Sequence, residues 1–313
     1  MSAPIRLALI GMGKIAHDQH VPAIAGEPAI ALAATVSRNG EGVEGVPHFH
    51  DIADLIASGQ GIDAVALCTP PQVRRAIAMQ AIQAGWHVLL EKPPGATLAE
   101  VANLESAAQA AGVTLFASWH SRYAPGVEPA RAALADARID RVTVTWREDI
   151  RVWHPGQAWI LDAGGFGVFD PGINALSIVT RILPRPFFVT EAELDYPENR
   201  DSPIAARIAF TDDAGLNIAA DFDFRQQGPQ SWDIVVETDR GTLTLHDGGA
   251  RLILPDGSSP TTAAALHGEY AGLYRRFAEL VRAGQSDVDI APLRHVADAF
   301  LRGTRNVVAA FIE

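Results

Sequence analysis

Residues 5–16 read "IRLALIGMGKIA". The first six are apolar apart from Arg6 and run into Gly11, as a strand buried on both faces does. The remainder, "GMGKIA", has the spacing G-x-G-x-x-A. Gly11 permits a tight turn. Gly13 lets a pyrophosphate approach the backbone, and Ala16 is small enough for a helix to pack close on the strand. The anion then sits at a helix N-terminus, where unpaired N–H groups point outward. On this reading Gly11, Met12, Gly13, Lys14 and Ile15 bind a dinucleotide. Six residues alone are weak evidence, so their surroundings decide the fold.

Downstream, apolar runs recur at 31–37 ("ALAATVS"), 63–69 ("DAVALCT"), 87–91 ("HVLLE") and 113–119 ("VTLFASW"). Helical spacing fills the gaps at 72–85 and 97–112. The second of these opens with Thr97 and Glu100 at capping-box spacing and closes with Gly112. Strands alternating with helices predict a doubly wound parallel sheet, a Rossmann NAD(P)-binding domain over 1–121. Ligands of such sheets lie at the carboxyl ends of the strands. That places Cys68, Thr69 and Pro70 of "CTPP", and Glu91 and Lys92 of "EKPPG", along the cofactor. Cys68 reads as packing rather than chemistry. After the second strand stand Ser37 and Arg38, where an acidic residue would select NAD. A hydroxyl and a guanidinium suit a 2′-phosphate, so NADP is expected to be preferred or accepted, with NAD as the other cofactor.

Beyond 121 the pattern changes. After a helix near 125–136, strands are expected at 141–148, 187–195, 204–212, 215–224, 231–238 and 241–246. "DDAG" (212–215) and "DRG" (239–241) read as hairpin turns. Helices are expected near 268–283 and 292–310. The whole is an α/β protein, with a C-terminal α+β domain (122–313) built on a large open, mostly antiparallel sheet. Within it, "AGGFGVFDPGINALS" (163–177) puts Asp170 and Asn174 one turn apart on one face of a helix expected over 170–181. Pro171 fits a first turn. Asp170 also reads as a plain N-cap; that alternative leaves Asn174, among Ile173, Ala175 and Leu176, unexplained.

Composition narrows the partners. The chain has 313 residues, 48% hydrophobic and 20% charged, with net charge -12 and pI about 5.3. Such acidity without a basic run disfavours nucleic acid. No apolar run is long enough to span a membrane. Cys68 is the single cysteine, which suits a reducing cytoplasm, and the N-terminus shows no signal-peptide pattern. His17 and His20, with His48 and His50, lack a completing carboxylate or cysteine at ligand spacing. No metal is expected.

"GMGKIA", "CTPP", "EKPPG" and the glycine-rich stretch before Asp170 together resemble the glucose-fructose oxidoreductase / inositol dehydrogenase (Gfo/Idh/MocA) family, in order and over essentially the whole chain. Longer runs, among them "GKIAHDQHVPAI", "LFASWHSR", "WHPGQAWI" and "GVFDPGINALSIVTRILPR", are most similar to its aldose 1-dehydrogenases. The resemblance implies oxidation of an aldopyranose (L-arabinose, D-galactose or D-fucose) at C1 to the aldonolactone. It implies a homo-oligomer through the C-terminal sheet. It also assigns Lys92, Asp170 and Asn174 to catalysis. Many members carry histidine where this chain has Asn174, so the proton falls to Asp170 or Lys92. Trp119, His120, Glu148, Trp153, His154 and Trp232, with Asp170 and Asn174, are the expected sugar contacts. Inositol or dihydrodiol oxidation, or a non-catalytic sensor, are the competing readings; the sensor is expected to lack Lys92 or Asp170.

Overall fold

The computed structural model describes residues 3–261 and 267–312. The chain divides into two compact units, Met1–His120 with Leu266–Ile290, and Ser121–Ala265 with Ala291–Glu313. A single cut after residue 121 therefore misses a return of the chain. Helix His267–Ala283, expected in the second domain, belongs to the first unit. Its buried residues Tyr270, Leu273, Tyr274 and Phe277 explain why. Phe277 stacks on Phe116 at 6.2 Å, and the two tyrosines find polar partners in the first unit. Helical periodicity shows that a face is apolar but not which core receives it.

The first unit is a six-stranded sheet. Its strands are β1 (Ile5–Ile10), β2 (Ile30–Val36), β3 (His48–Phe49), β4 (Ala64–Leu67), β5 (His87–Leu90) and β6 (Leu115–Ala117). They are all parallel, in the order β3-β2-β1-β4-β5-β6. Leu7, Leu9, Val65, Leu67 and Leu89 are fully buried, because helices cover both faces and continuous apolar runs are needed. The two-residue β3 is too short to show a period. The strand order reverses between β1 and β4, so the ligand crevice opens at their carboxyl ends. Helix Leu98–Ala111 is capped by Thr97, whose hydroxyl accepts the Glu100 amide at 3.2 Å. Glu100 in turn accepts the amide of Ala96, one residue earlier than a standard box.

The second unit carries β7 (Ile139–Arg147), β8 (Phe188–Pro197), β9 (Ala205–Thr211), β10 (Asn217–Asp223), β11 (Ser231–Thr238), β12 (Gly241–His246), β13 (Arg251–Ile253) and β14 (Thr304–Val308). Their order is β13-β12-β11-β7-β10-β9-β8-β14. β7 pairs in parallel with β10, and β8 with β14; the other pairs are antiparallel. Alternation is clear in β10, where Ile218, Ala220 and Phe222 are buried and Asn217 and Ala219 face out. Helices Val127–Leu134, Phe169–Ile182 and Ala291–Arg302 complete this unit's core. The helix expected over 292–310 stops at Arg302. A Cβ at Gly303 would lie 2.6 Å from the Ala299 carbonyl oxygen, and the β-branched residues after it pair with β8 instead. No described helix is long and apolar enough to cross a membrane.

The glycines before Asp170 have a steric cause. Gly167 has φ +54, and a Cβ there would meet the Pro203 carbonyl oxygen at 2.2 Å. The amide of Val168 donates to that same oxygen at 2.7 Å, which docks the start of helix Phe169–Ile182. Replacing Gly167 by alanine should lower the unfolding free energy by about 2 kcal/mol or more. Urea melts check this; an unchanged midpoint contradicts it.

Candidate active site

The glycine loop leads from β1 into a helical stretch that starts as a π-turn, Ala16–His20, and continues as helix Val21–Gly26. Gly11 has φ +95, and a Cβ on it would strike the Thr69 amide at 2.8 Å. Only glycine lets the loop lie against the end of β4. Gly13 faces open space, with nothing within 4 Å of its Cβ position. A backbone exposed in this way at a helix start is a cradle for a phosphate. Met12 is buried, while Lys14 and Ile15 are exposed, and Lys14 pairs with Asp18. On the neighbouring loop Ser37 is half-buried, its hydroxyl accepting the Gly40 amide at 2.8 Å, and Arg38 is exposed. Gly40 sits against Met12, which joins the two loops. At the end of β4 the Thr69 hydroxyl oxygen is buried without a hydrogen-bond partner among the described residues. An open glycine backbone, a waiting hydroxyl and an exposed guanidinium fit a dinucleotide. Gly11–Ile15, Thr69 and Arg38 are the candidate residues to hold it.

Lys92 is half-buried just past β5, before a cis Lys92–Pro93 peptide. Its backbone is held on both sides. The Lys92 amide donates to Glu91 Oε2 at 2.5 Å. The buried Arg74 guanidinium donates to the carbonyls of Glu91 and Pro93, and also to that of Thr69. Behind the loop lies a buried polar cluster. Tyr270 donates to Glu91 Oε1 at 2.8 Å, and His20 Nε2 is 3.4 Å from the same oxygen. His20 Nδ1 meets the Tyr274 hydroxyl at 2.7 Å. His120 stacks on Tyr270 at 5.0 Å and bonds Glu269 at 2.7 Å. Burial on its own would lower the His20 pKa. Cys68 and then Glu91 pull the other way, up to about 10. Burial likewise opposes ionisation of Glu91, but His20, His120 and Lys92 bring it down to about 2.

In the second unit Asp170 lies in the first turn of its helix, 5% exposed, and is not its N-cap; that position is Val168. From Phe169 to Val179 every residue is buried except the half-buried Asn174. His154 stands between two buried carboxylates. Its Nε2 is 3.2 Å from Glu148 Oε1, and its Nδ1 is 3.8 Å from Asp170 Oδ2. Trp232 donates its indole N–H to the other Glu148 oxygen at 2.8 Å. Trp153 tilts against Trp232 with ring centroids 4.8 Å apart, and Trp146 stacks on Trp232 at 5.8 Å. The structure thus gathers Glu148, Trp153, His154, Asp170 and Trp232. Trp119 and His120 lie in the first unit. Trp119 is buried there, its N–H given to the Asp289 carbonyl at 2.9 Å. Among the described residues no group of three or more His, Cys, Asp or Glu is placed to hold a metal ion.

Arg74, Tyr270 and Tyr274 escaped the sequence reading, and His20 entered it only as a metal candidate that was set aside, although the sequence carries two signals. Arg74 occupies the apolar face that Pro71, Ala78, Ala81 and Ile82 share in helix Pro71–Gln83. A charge on that face needs buried acceptors. Lysine is also scarce: Lys14 and Lys92 are the two lysines of the chain, and every other Lys or Arg position is arginine. An ammonium at the sheet mouth, in a chain that otherwise uses arginine, makes Lys92 a candidate for chemistry that needs a compact cation.

The buried pair makes stability depend on pH. The depressed Glu91 contributes fully above its free value of 4.5 and loses that contribution as pH falls through about 2. The raised His20 contributes fully below 6.5 and loses its contribution as pH rises through about 10. The unfolding free energy should therefore decline from pH 6.5 toward 10, and His20→Phe should flatten that limb. Parallel curves for the two proteins contradict this.

Residues 5–118 match the oxidoreductase family with an NAD-binding Rossmann fold. Over 310 residues the chain is 48% identical to galactose 1-dehydrogenase of Pseudomonas fluorescens, covering 99% of each. The crystal structure of D-galactose-1-dehydrogenase from Rhizobium etli superposes with a TM-score of 0.94 at 57% identity, covering 100% of this chain and 99% of that one. A 3-ketoreductase from Actinomadura kijaniata, in complex with NADP and TDP-benzene, shares the fold at 20% identity, with a TM-score of 0.81 over 97% of this chain and 99% of that one. The glycine cradle, the strand order and these likenesses agree: the chain belongs to the Gfo/Idh/MocA family of oxidoreductases and carries its NAD-binding Rossmann fold.

Proposed function

We propose that this protein is an NAD(P)-dependent aldose 1-dehydrogenase that oxidises D-galactose, and likewise L-arabinose and D-fucose, at C1 to the aldonolactone. The observation that carries the reading is the cluster of Asp170, His154 and Glu148 beside two tryptophans. The activity named for the full-length relatives supports it. A sugar needs fixed polar groups for its hydroxyls and apolar faces for its C–H surfaces.

When bound, the nicotinamide supplies the acceptor for the hydride. The C1 hydroxyl must lose a proton as the hydride leaves. Asp170 accepts it, as a buried carboxylate within reach of a hydroxyl does. The ammonium of Lys92 stabilises the developing charge on oxygen. Asn174, which opens to solvent from an otherwise buried turn, orients the hydroxyl. His154 stands between the two carboxylates, with Nε2 at Glu148 and Nδ1 on the side of Asp170, and so fixes their spacing. Trp153 and Trp232 take the sugar's apolar face. The three sugars share stereochemistry from C2 to C4 and differ in the group carried by C5 (hydroxymethyl, hydrogen or methyl), so one set of contacts serves them all. Ser37 and Arg38 stand where a carboxylate would repel the 2′-phosphate of NADP, so they favour that cofactor while admitting NAD. The single cysteine suits a reducing cytoplasm, and the open eight-stranded sheet suits self-association.

The test is reduced-nicotinamide absorbance with D-galactose, L-arabinose, D-xylose, D-glucose and myo-inositol, each with NADP and with NAD. Turnover with the first two sugars is expected. Silence with every pair, while NADP binds, contradicts the proposal. Asp170→Asn should cut kcat at least about a hundredfold with NADP affinity retained. Near-full turnover would remove Asp170 as the base. Arg38→Ala should weaken NADP about tenfold and leave NAD within about twofold. Equal loss for both cofactors contradicts selection by Arg38.

A further inference from the structure

Glu91 sits beside the working lysine, yet its carboxylate is turned away from solvent and has no part in the proton chemistry above. Its two oxygens have separate duties. Oε2 accepts the Lys92 amide, and Oε1 receives the Tyr270 hydroxyl and faces His20. His20 is in turn fixed by Tyr274 at 2.7 Å and lies edge-on to Tyr270 at 4.8 Å. These groups come from three separate parts of the first unit. His20 ends the π-turn that follows the glycine loop, Glu91 follows β5, and both tyrosines come from the returning helix, His267–Ala283. His20, Tyr270 and Tyr274 are all fully buried.

We propose that His20, Tyr270 and Tyr274 act through Glu91 as positioning residues for Lys92. The buried chain sets which way the carboxylate faces, and the carboxylate sets the Lys92 backbone. Arg74 holds the flanking carbonyls of Glu91 and Pro93, so the lysine is pinned at both neighbouring peptides. The chemistry gives a reason for holding it so firmly. A lysine on a loop has a flexible four-carbon stem, and a misplacement of about 1 Å costs on the order of a hundredfold in rate. The titratable groups that face His20 are Cys68, Glu91, Tyr270 and Tyr274. The proposal rests on the reading of Lys92 as the charge-stabilising group, so its test has a readout that does not require turnover.

Because Lys14 and Lys92 are the two lysines, reductive methylation with 13C-formaldehyde gives lysine methyl NMR signals from two sites beside that of the N-terminal amine, and Lys14→Arg and Lys92→Arg assign them. Dimethylation keeps the charge. In the parent the Lys92 signal should be distinct from that of the exposed Lys14. In Tyr270→Phe, Tyr274→Phe and His20→Phe it should shift toward the Lys14 position. In an active parent, kcat should fall about tenfold in each variant, with KM for the sugar and affinity for NADP within about twofold. Each tyrosine variant deletes a single hydroxyl, so the test stands even where His20→Phe fails to fold. An unmoved Lys92 signal in the folded variants, or an unmoved kcat in an active parent, overturns the proposal. A parent that oxidises no sugar refutes the proposed function instead, and the NMR signals still decide the positioning.

Discussion

The ionised Glu91 carboxylate in the interior of the first unit is the constraint on which much else depends. A buried charge is tolerated only where it is paired and its lone pairs are used. Here the partners are an imidazole, a phenol and a backbone amide, and each is drawn from a different stretch of chain. Meeting that demand explains three features together. The π-turn brings His20 inward, helix His267–Ala283 returns to the first unit with tyrosines on its buried face, and the "EKPP" loop is held in place. Arg74 solves the matching problem for backbone carbonyls, tying the end of β4 to the loop after β5.

The second unit meets the same problem with two acids and one imidazole. His154 stands between two buried carboxyl groups, Glu148 and Asp170. Glu148 has both oxygens engaged, one by His154 and one by Trp232, and so acts as an anchor. Asp170 stands in a helix first turn, where the orphan amides favour a negative charge. The glycines before it let that turn dock against Pro203.

Local chemistry was legible in the sequence. The glycine loop, the strand and helix alternation, the Thr97 cap and the "DDAG" and "DRG" turns all rest on short-range rules, and the structure has them. Long-range choices were less so. That helix His267–Ala283 joins the first unit depends on Glu91 and His20, some 179 residues from Tyr270 in the first case. That the last helix gives way to β14 depends on pairing with β8, a strand distant in sequence. Of the sugar-contact candidates, those at strand ends and in "WHPGQ" come together around Glu148. Trp119 reads the same in sequence, yet its N–H is committed to Asp289. Aromatic residues reveal their size to a sequence reader but not their neighbours.

The account turns on a hydride leaving C1 of the sugar. The most direct measurement uses D-galactose deuterated at C1 with NADP, following the deuterium by NMR. The account predicts a primary isotope effect on kcat/KM and deuterium on the nicotinamide C4 of the reduced cofactor. Deuterium retained on the sugar, or released to water, would contradict it.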